Sequence, residues 1–333
     1  MSITDRLGRE LKDIRISVTD RCNFRCFFCM PADKEINFLN REELLSYEEI
    51  AFLVKSLSDI GIRKVRITGG EPLLRASIEN LIELISNIPE IKDIALTTNG
   101  FRLGEMAPKL KSAGLKRITV SLLSLEEDRY RAMVGKDIDL KKIIESIDRA
   151  LDVGLSPLKV NMVVVRGVND DEVLSMAEFC RDRGIILRFI EFMDVGTMNH
   201  WSLDRVVTAS EILSTMSKKY SFEPVDGGIN ETALRYRYSD TPLEFGIIAS
   251  VSKPFCKGCT RLRLSADGKL FTCLFSSEGY DIKSLIRSGA GSEDIVRTVI
   301  NLWNIREDRY SEERFLRAKE SERDRVEMFR VGG

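Results

Sequence analysis

Asp13-Ile-Arg-Ile-Ser-Val18 is followed closely by Cys22-Asn-Phe-Arg-Cys26-Phe-Phe-Cys29, so a strand pattern leads directly into three cysteines. Further strand patterns follow, and a helical pattern separates each one from the next. The strand patterns cover residues 13–18, 64–68, 93–98, 117–121, 158–164 and 185–190. Strands that alternate with helices through short connections predict a parallel sheet, and ligands of such sheets bind at the carboxyl ends of the strands.

The helical patterns have recognisable ends. Ser46 and Glu49 are spaced as a capping box, Gly61 follows the last apolar residue of that helix, and Asp139 is placed as a cap. The helices are predicted over residues 46–60, 77–85, 105–113, 139–153 and 171–183. Both a doubly wound sheet and a barrel fit this alternation.

Cations within the strand patterns favour a barrel. Because side chains alternate between the two faces of a strand, a face that carries cations must look into something polar, such as an anionic ligand inside a curved sheet. Paired or exposed surface cations are the alternative. The cations concerned are Arg15, Arg66, Lys159 and Arg188. We therefore predict an α/β fold, an incomplete (β/α)6 barrel similar to that of triosephosphate isomerase.

The rhythm of the pattern changes after Gly196, which indicates a second part of the chain. Helical patterns at 210–219 and 295–304 flank a strand at 245–250 and a hairpin that carries cysteines. We place a boundary near residue 200, with a partial barrel over residues 1–200 and an α+β extension over 201–333 that closes the barrel mouth. No linker separates them, so the two parts are expected to pack together. The evenly charged stretch 306–330 predicts a solvated helix with internal ion pairs.

The composition is that of a folded protein with balanced charge. Hydrophobic residues make up 43% of the 333 residues, which is enough for a buried core. Lys and Arg number 51 against 52 Asp and Glu, so non-specific binding to nucleic acid is not expected. No apolar run is long enough to span a membrane, and the first residues lack the apolar core of a secretory signal. A cytoplasmic protein without a membrane partner is therefore expected.

Six of the seven cysteines form two triads. In a reducing cytosol, clustered cysteines favour metal or redox chemistry over disulfides. The first triad, Cys22, Cys26 and Cys29, can bind a 4Fe–4S cluster and leave one iron open to an outside ligand. Zinc is the alternative, but His200 is the single histidine in the sequence, and two triads would compete for it.

The second triad consists of Cys256, Cys259 and Cys273. Asp267-Gly268 predicts a hairpin turn that returns Cys273 toward the other two thiols. Arg261 and Arg263 lie two residues apart, so both project from one strand face beside the metal, where guanidinium groups suit a phosphate chain. A zinc-binding structural hairpin is the alternative. Cys180 lies at helical spacing with other apolar residues and is predicted to be a buried thiol.

CxxxCxxC after the first strand resembles the signature of the radical S-adenosylmethionine enzymes. The second strand ends in Thr68-Gly69-Gly70-Glu71-Pro72, which is similar to the GGEP motif of that superfamily. A plain turn is the alternative for this motif taken alone. CxxC followed by thirteen residues and a third cysteine resembles the GTP 3′,8-cyclase family, or molybdenum cofactor biosynthesis protein A family. Segments 97–100, 120–121 and 188–193 also match blocks of that family.

The resemblance implies two 4Fe–4S clusters, one on each cysteine triad, with S-adenosylmethionine bound to the first. The implied contacts to S-adenosylmethionine are Phe28, at a position that is usually Tyr, together with Gly70, Glu71, Ser121 and Met193. The implied GTP-binding residues are Arg15, Arg66, Thr97, Lys159, Arg188, Arg261 and Arg263. Guanine is expected at the open iron of the second cluster.

The implied reaction makes the chain a lyase. A 5′-deoxyadenosyl radical would convert GTP to (8S)-3′,8-cyclo-7,8-dihydroguanosine 5′-triphosphate, the first step of molybdenum cofactor biosynthesis. Catalytic roles are implied for Arg261, for Arg263 and for a flexible tail at Gly332-Gly333, where a frayed terminus is the alternative. A peptide or another small molecule is the rival substrate, and related peptide-modifying enzymes usually carry more C-terminal cysteines than this chain.

The resemblance also implies partners. These are a low-potential electron donor of the flavodoxin or ferredoxin type, a cyclic pyranopterin monophosphate synthase that receives the product, and a second copy of the chain in a homodimer. A non-enzymatic iron–sulfur electron carrier is the remaining alternative. It leaves both the open iron sites and the internal cations unexplained.

Overall fold

A computed structural model describes residues 3–227, 231–316 and 325–332, and one twelve-stranded sheet forms its centre. Eight neighbouring strands run parallel. In spatial order they are β10 (Arg261–Leu264), β1 (Asp13–Ser17), β2 (Lys64–Thr68), β3 (Asp93–Thr98), β4 (Arg117–Ser121), β5 (Leu158–Val164), β6 (Ile186–Glu191) and β9 (Glu244–Ile248). The predicted α/β fold with a parallel sheet is confirmed.

Antiparallel strands extend the sheet at both edges. Beyond β10 lie β11 (Lys269–Phe271) and β12 (Tyr280–Asp281), and beyond β9 lie β8 (Leu234–Tyr238) and β7 (Phe222–Val225). Within the described residues, β12 and β7 end the strand order and do not pair with each other, so the barrel is incomplete.

Strands from the C-terminal third join both sides of the N-terminal sheet. β10 pairs in parallel with β1, which places Arg15 opposite Arg263. At the other side β9 pairs in parallel with β6, which places Arg188 opposite Gly246. The two predicted parts of the chain therefore share one sheet, and the extension supplies strands as well as covering segments.

Helices follow the parallel strands, and their ends obey the sequence signals. In the first two-thirds of the chain they are α1 (Tyr47–Ser58), α2 (Ile78–Ser86), α3 (Leu103–Ser112), α4 (Glu127–Val134), α5 (Leu140–Asp152) and α6 (Val173–Asp182). The predicted capping box is present: Glu49 N donates to Ser46 Oγ at 3.1 Å, and Ser46 N donates to the Glu49 carboxylate at 2.6 Å. Helix α4 was not predicted, because its first three residues are charged and only Tyr130, Met133 and Val134 of its eight residues are buried.

The C-terminal part differs from its prediction in one segment. Its helices are α7 (Ala209–Ser217), α8 (Ile282–Arg287), α9 (Ser292–Asn304), α10 (Tyr310–Glu313) and α11 (Met328–Val331). The solvated helix predicted over 306–330 is wrong for the described residues, which form only the short helices α10 and α11 there. The physical reason is burial: Arg306 and Arg314 are 4% and 2% exposed, and they pair with distant carboxylates.

Strand alternation separates the core from the inner face of the sheet. Ile14 and Ile16 of β1 are fully buried, whereas Arg15 between them projects to the opposite face and lines a cavity. The same alternation in β5 buries Val160 and turns Lys159 toward that cavity. No helix in the part of the chain that the structure describes is long and apolar enough to cross a membrane.

Candidate active site

A cavity of about 560 Å³ lies on the inner face of the sheet, and all six clustered cysteines line it. The first triad follows the carboxyl end of β1. In the second triad, Cys256 and Cys259 precede β10, which runs parallel to β1, and Cys273 follows β11. The two triads therefore sit toward opposite ends of the strands and face the same space.

The loop that carries the first triad is fixed against the end of β2. Gly70 N donates to the Thr19 carbonyl at 2.7 Å, and Glu71 N donates to the Arg21 carbonyl at 2.8 Å. A Cβ atom at Gly69 would lie 2.5 Å from Thr19 O, and one at Gly70 would overlap the carbonyl oxygen of Arg21. The two glycines thus permit a close approach of two backbone segments, and Gly70 also lines the cavity.

The Glu71 side chain binds neighbouring protein groups and does not line the cavity. Its carboxylate accepts hydrogen bonds from Thr98 Oγ1 at 2.7 Å, Asn99 N at 2.7 Å and Leu73 N at 3.0 Å. Burial raises the pKa of Glu71 to about 7, and these hydrogen bonds oppose that shift. The carboxylate joins the ends of β2 and β3 and does not line the cavity, and its predicted contact with a cofactor stays a prediction.

Asn99 connects the end of β3 to the first triad, and the sequence reasoning did not single it out. Its Nδ2 donates to Asn23 Oδ1 at 2.8 Å and to Cys22 Sγ at 3.8 Å. The sequence signal that could have indicated Asn99 is its position, because it is a polar residue directly after the carboxyl end of a parallel strand, where ligands bind.

The two triads differ in their electrostatic surroundings. Burial raises the pKa of Cys22 to about 11, and burial likewise raises the pKa of Cys26 and Cys29. Metal ligation needs thiolates, and burial disfavours them, so these thiols favour ligation only when a bound cation compensates for their burial.

Among the described residues, no three His, Cys, Asp or Glu side chains converge on the position of a single metal ion.

Arginines surround the second triad. Burial raises the pKa of Cys273 to about 11. Burial also opposes ionisation of Cys259, but attraction to Arg261 and Arg306 outweighs it and lowers the pKa of that thiol to about 6. The second triad is therefore the more electropositive of the two.

A set of cations, of which Arg263 is buried and the others are half-buried, occupies the cavity wall between the triads. The predicted residues Arg15, Arg66, Lys159, Arg188, Arg261 and Arg263 all line it, as does Thr97. Most of these side chains are exposed only where they face the cavity, and protein surrounds the rest of each side chain. Lys64, Arg117 and Arg235 line the cavity as well and were not predicted. Lys64 lies two residues before Arg66, so its side chain projects from the same face of β2, and the alternation of side chains along the strand could have predicted its place in the cavity wall.

These cations repel one another. Burial, followed by repulsion from Arg188 and Arg117, lowers the pKa of Arg66 to about 10. Burial and repulsion from the same two arginines lower the pKa of Lys159 to about 7. Burial also lowers the pKa of Arg15, with repulsion from Arg263 as the next cause. A polyanion bound between them would relieve this repulsion and restore their charged forms.

Hydrogen bonds hold two of these arginines in place. Arg66 Nη1 donates to Thr97 Oγ1 at 3.2 Å and to Thr119 Oγ1 at 3.3 Å. Arg263 Nη1 donates to the carbonyl oxygen of Gly332, which brings the C-terminal segment to the inner face of the sheet. Gly332 is buried there, while Gly333 lies outside the described residues.

The remaining predicted residues fall into two groups. Phe28, Ser121 and Met193 line the cavity near the carboxyl ends of the strands, as Gly70 does. Cys180 is 1% exposed in the core, as predicted, and His200 lies in an exposed loop outside the cavity wall.

Comparisons with known proteins agree with this geometry. Residues 16–180 match the family model of the radical SAM superfamily, and residues 185–312 match the model for molybdenum cofactor synthesis C. A GTP 3′,8-cyclase of Aquifex aeolicus is 50% identical over 99% of this chain and 100% of its own length. One of Staphylococcus haemolyticus is 44% identical over 99% of both chains. The chain belongs to the GTP 3′,8-cyclase family.

Another member of the GTP 3′,8-cyclase family, from Acidothermus cellulolyticus, is 46% identical over 97% of this chain and 91% of its own length. Membership makes the chain an enzyme. Among solved structures, Streptococcus suis SuiB bound to S-adenosylmethionine is similar with a TM-score of 0.60 at 15% identity, over 80% of this chain and 62% of that longer chain. At that identity the similarity supports the fold, which is that of a radical SAM partial barrel.

Proposed function

We propose that this chain converts GTP to (8S)-3′,8-cyclo-7,8-dihydroguanosine 5′-triphosphate, the first step of molybdenum cofactor biosynthesis, and so acts as a lyase. One observation carries the proposal: a single cavity is lined by two cysteine triads, with a set of inward-facing cations on the wall between them. Full-length relatives named GTP 3′,8-cyclase support the same reaction.

Each triad fits a 4Fe–4S cluster. Such a cluster takes one thiolate per iron, so its cysteines need not converge on a single ion. Cys22, Cys26 and Cys29 would hold the first cluster, and Cys256, Cys259 and Cys273 would hold the second. S-adenosylmethionine bound at the first cluster supplies one-electron radical chemistry.

The residues around the first triad would position S-adenosylmethionine. Phe28, Gly70, Ser121 and Met193 line that end of the cavity. Glu71 would act indirectly, because its carboxylate orders the backbone that follows β3. The phenyl ring of Phe28 offers stacking without the hydroxyl that a tyrosine would bring.

The cations of the cavity wall would bind the triphosphate and place the nucleotide between the two ends of the cavity. A triphosphate carries about three to four negative charges, and charge-assisted hydrogen bonds from guanidinium groups suit it. The proposed GTP-binding residues are Arg15, Arg66, Thr97, Lys159, Arg188, Arg261 and Arg263. Holding substrate and cofactor in one enclosed space, away from bulk water, is the main contribution of the protein.

A catalytic role is also proposed for the C-terminal tail and for two arginines. Arg263 donates to the Gly332 carbonyl, so the tail reaches the side chain that would meet the substrate. Arg261 lies on the same face of β10, two residues earlier. Gly333 is assigned to the same tail on the resemblance alone.

We also propose the partners that the resemblance implies. These are a flavodoxin-type or ferredoxin-type electron donor, a cyclic pyranopterin monophosphate synthase that accepts the product, and a second copy of the chain in a homodimer. A cytoplasmic location is proposed on the same basis.

The test is anaerobic incubation of the reconstituted protein with GTP, S-adenosylmethionine and a reductant. We expect formation of 5′-deoxyadenosine that depends on GTP, together with a cyclised nucleotide in equal amount. Matched incubations replace GTP with ATP, or use protein in which Arg261 and Arg263 are both changed to Gln. Formation of 5′-deoxyadenosine without any dependence on GTP would favour a peptide or another substrate instead.

A further inference from the structure

A buried ion cluster of Asp5, Arg9 and Arg306 lies beneath the second cysteine triad. Asp5 Oδ2 accepts from Arg9 Nε at 2.6 Å and from Arg306 Nη1 at 3.2 Å. Asp5 Oδ1 accepts from the backbone N–H groups of Leu7 and Arg9, both at 2.9 Å. The three side chains are at most 2% exposed, so the carboxylate joins two arginines that are far apart in sequence.

Each arginine of the cluster also holds one cysteine of the second triad. Arg9 Nη1 donates to the Cys256 carbonyl at 3.0 Å, and Arg306 Nη1 donates to the Cys259 carbonyl at 2.8 Å. These are the two cysteines of the CxxC turn. A single carboxylate thus sets the spacing of two guanidinium groups, and they in turn fix the backbone at both ends of the turn.

Further contacts lock both arginines. The Arg306 guanidinium carbon lies 4.4 Å from the centre of the fully buried Trp303 ring, and Trp303 Nε1 donates to the Arg9 carbonyl at 3.0 Å. Arg9 Nη1 also donates to the Asp308 carbonyl at 2.6 Å. Arg9 Nη2 is buried and has no hydrogen-bond partner within the described residues, and both arginines line the cavity.

Asp5, Arg9 and Arg306 together carry one net positive charge, and the partly exposed Asp308 carboxylate, 3.5 Å from Arg306 Nε, offsets part of it. Each arginine nevertheless places a buried positive charge beside the triad. Three cysteine thiolates bring three negative charges to the same place, and each electron added to a bound iron–sulfur cluster adds another. A fixed positive charge in a protein interior stabilises that added electron. Charge and hydrogen bonds near the sulfurs are among the factors that set cluster potentials.

We infer that Asp5, Arg9 and Arg306 are positioning residues of the second metal centre: they hold the CxxC turn for ligation and raise the reduction potential of the cluster bound there. The inference rests on the proposed second 4Fe–4S cluster. No residue of this group needs to contact the substrate.

The experiment compares the wild-type protein with Arg306→Gln, Arg306→Lys, Arg9→Gln and Asp5→Asn. Each is reconstituted anaerobically, iron per chain is counted, and both clusters are titrated with reductant while their electron paramagnetic resonance signals are recorded. The signal that changes on addition of S-adenosylmethionine belongs to the first cluster and serves as an internal reference. Arg183→Gln is the control, because Arg183 pairs with Asp148 and does not line the cavity.

Removal of a positive charge is expected to lower the potential of the second cluster only. Arg306→Gln and Arg9→Gln should shift it to more negative values, Arg306→Lys should shift it less, and Asp5→Asn should shift it in the opposite direction. A variant that cannot hold the turn should fall from about eight irons per chain to about four and keep the first signal. Arg183→Gln should match the wild type.

Three results would overturn the inference. Unchanged iron content and potential in both glutamine variants would remove any role for the arginines. Equal loss of both clusters in every variant would show that the ion cluster serves folding alone. A wild-type protein that holds only about four irons would overturn the proposed second cluster itself, and the iron count of the unmutated protein identifies that case.

Discussion

Lys159 is a cavity cation whose charge depends on pH near neutrality. Burial and repulsion from Arg188 and Arg117 lower its pKa to about 7, so its ammonium form is lost as the pH rises through that value. Neighbouring arginines stay charged over the same range, because the pKa of Arg66 and of Arg188 remains about 10. Among these three groups, lysine alone gives the cavity a variable charge near pH 7.

The affinity for GTP should therefore fall with rising pH in a way that depends on Lys159. A bound polyanion favours the charged lysine, so binding takes up a proton above pH 7 and weakens by up to about tenfold per pH unit. Lys159→Gln should bind GTP more weakly at pH 6.5 and show a flatter profile up to pH 8.5, measured by anaerobic equilibrium binding. Lys141→Gln is the control, since Lys141 is 79% exposed on α5. Equal slopes in the two variants would contradict this role.

Two features of the structure disfavour a side chain at Gly332: a positive φ and a close neighbour. Its φ is +74°, and a Cβ atom there would overlap the side chain of Thr68. Gly332→Ala should displace the carbonyl that Arg263 holds and lower turnover about tenfold or more while leaving the iron content unchanged.

Gly167→Ala separates overlap from backbone strain. Gly167 has a φ of +72°, and nothing lies within 4 Å of a Cβ atom built there. Both substitutions place a side chain at a positive φ, which costs on the order of 1–3 kcal/mol, but only the one at Gly332 displaces a neighbour. Equal turnover in the two variants would remove the proposed role of the tail.

Two loops that meet at the carboxyl end of the sheet build the first triad site. The sequence could predict each loop separately, because CxxxCxxC and the GGEP-like motif are local patterns that follow strands. It could not show that Gly70 packs against Arg21, or that Glu71 turns away from the cavity to bind Thr98, because those contacts depend on strand neighbours far apart in sequence.

Gly70→Ala should loosen the first triad without disturbing the second. The added methyl group would overlap the Arg21 carbonyl, so the cysteine loop or the end of β2 has to move. We expect iron to fall from about eight to about four per chain, with the signal that responds to S-adenosylmethionine lost. Gly291→Ala is the control, since a Cβ atom at Gly291 would have no neighbour within 4 Å. Retention of all the iron in Gly70→Ala would contradict the account of this loop.

Sheet topology brings the two ends of the chain together across the cavity. β10 joins β1 and β9 joins β6, so the strands of the C-terminal third complete the wall that carries the cations. The sequence predicted the hairpin and its arginines from local alternation. It could not predict the parallel pairing of β10 with β1, nor the placement of Arg306 beside Asp5, since neither leaves a periodic signal.

Residues 1–200 alone should not form a stable protein, although the sequence places a boundary there. Truncation would expose the edges of β1 and β6 and remove four fully buried side chains, Leu262, Leu264, Phe245 and Ile247. Burial of each contributes about 1.5–3 kcal/mol, which together approaches the whole stability of a typical domain, about 5–15 kcal/mol.

Urea unfolding followed by circular dichroism checks this prediction. The full chain should unfold in one cooperative transition, whereas residues 1–200 should show none and should bind no iron after reconstitution. A cooperative transition in the fragment, with about four irons bound, would mean that the first part folds independently.

Diffraction at the iron absorption edge, from crystals of the anaerobically reconstituted protein with GTP and S-adenosylmethionine, tests the shared cavity most directly. Two four-iron groups are predicted, one at Cys22, Cys26 and Cys29 and one at Cys256, Cys259 and Cys273, each with one iron facing the nucleotide side of the same space. Zinc in place of iron, a fourth protein side chain completing either group, or open corners that face different spaces would contradict it.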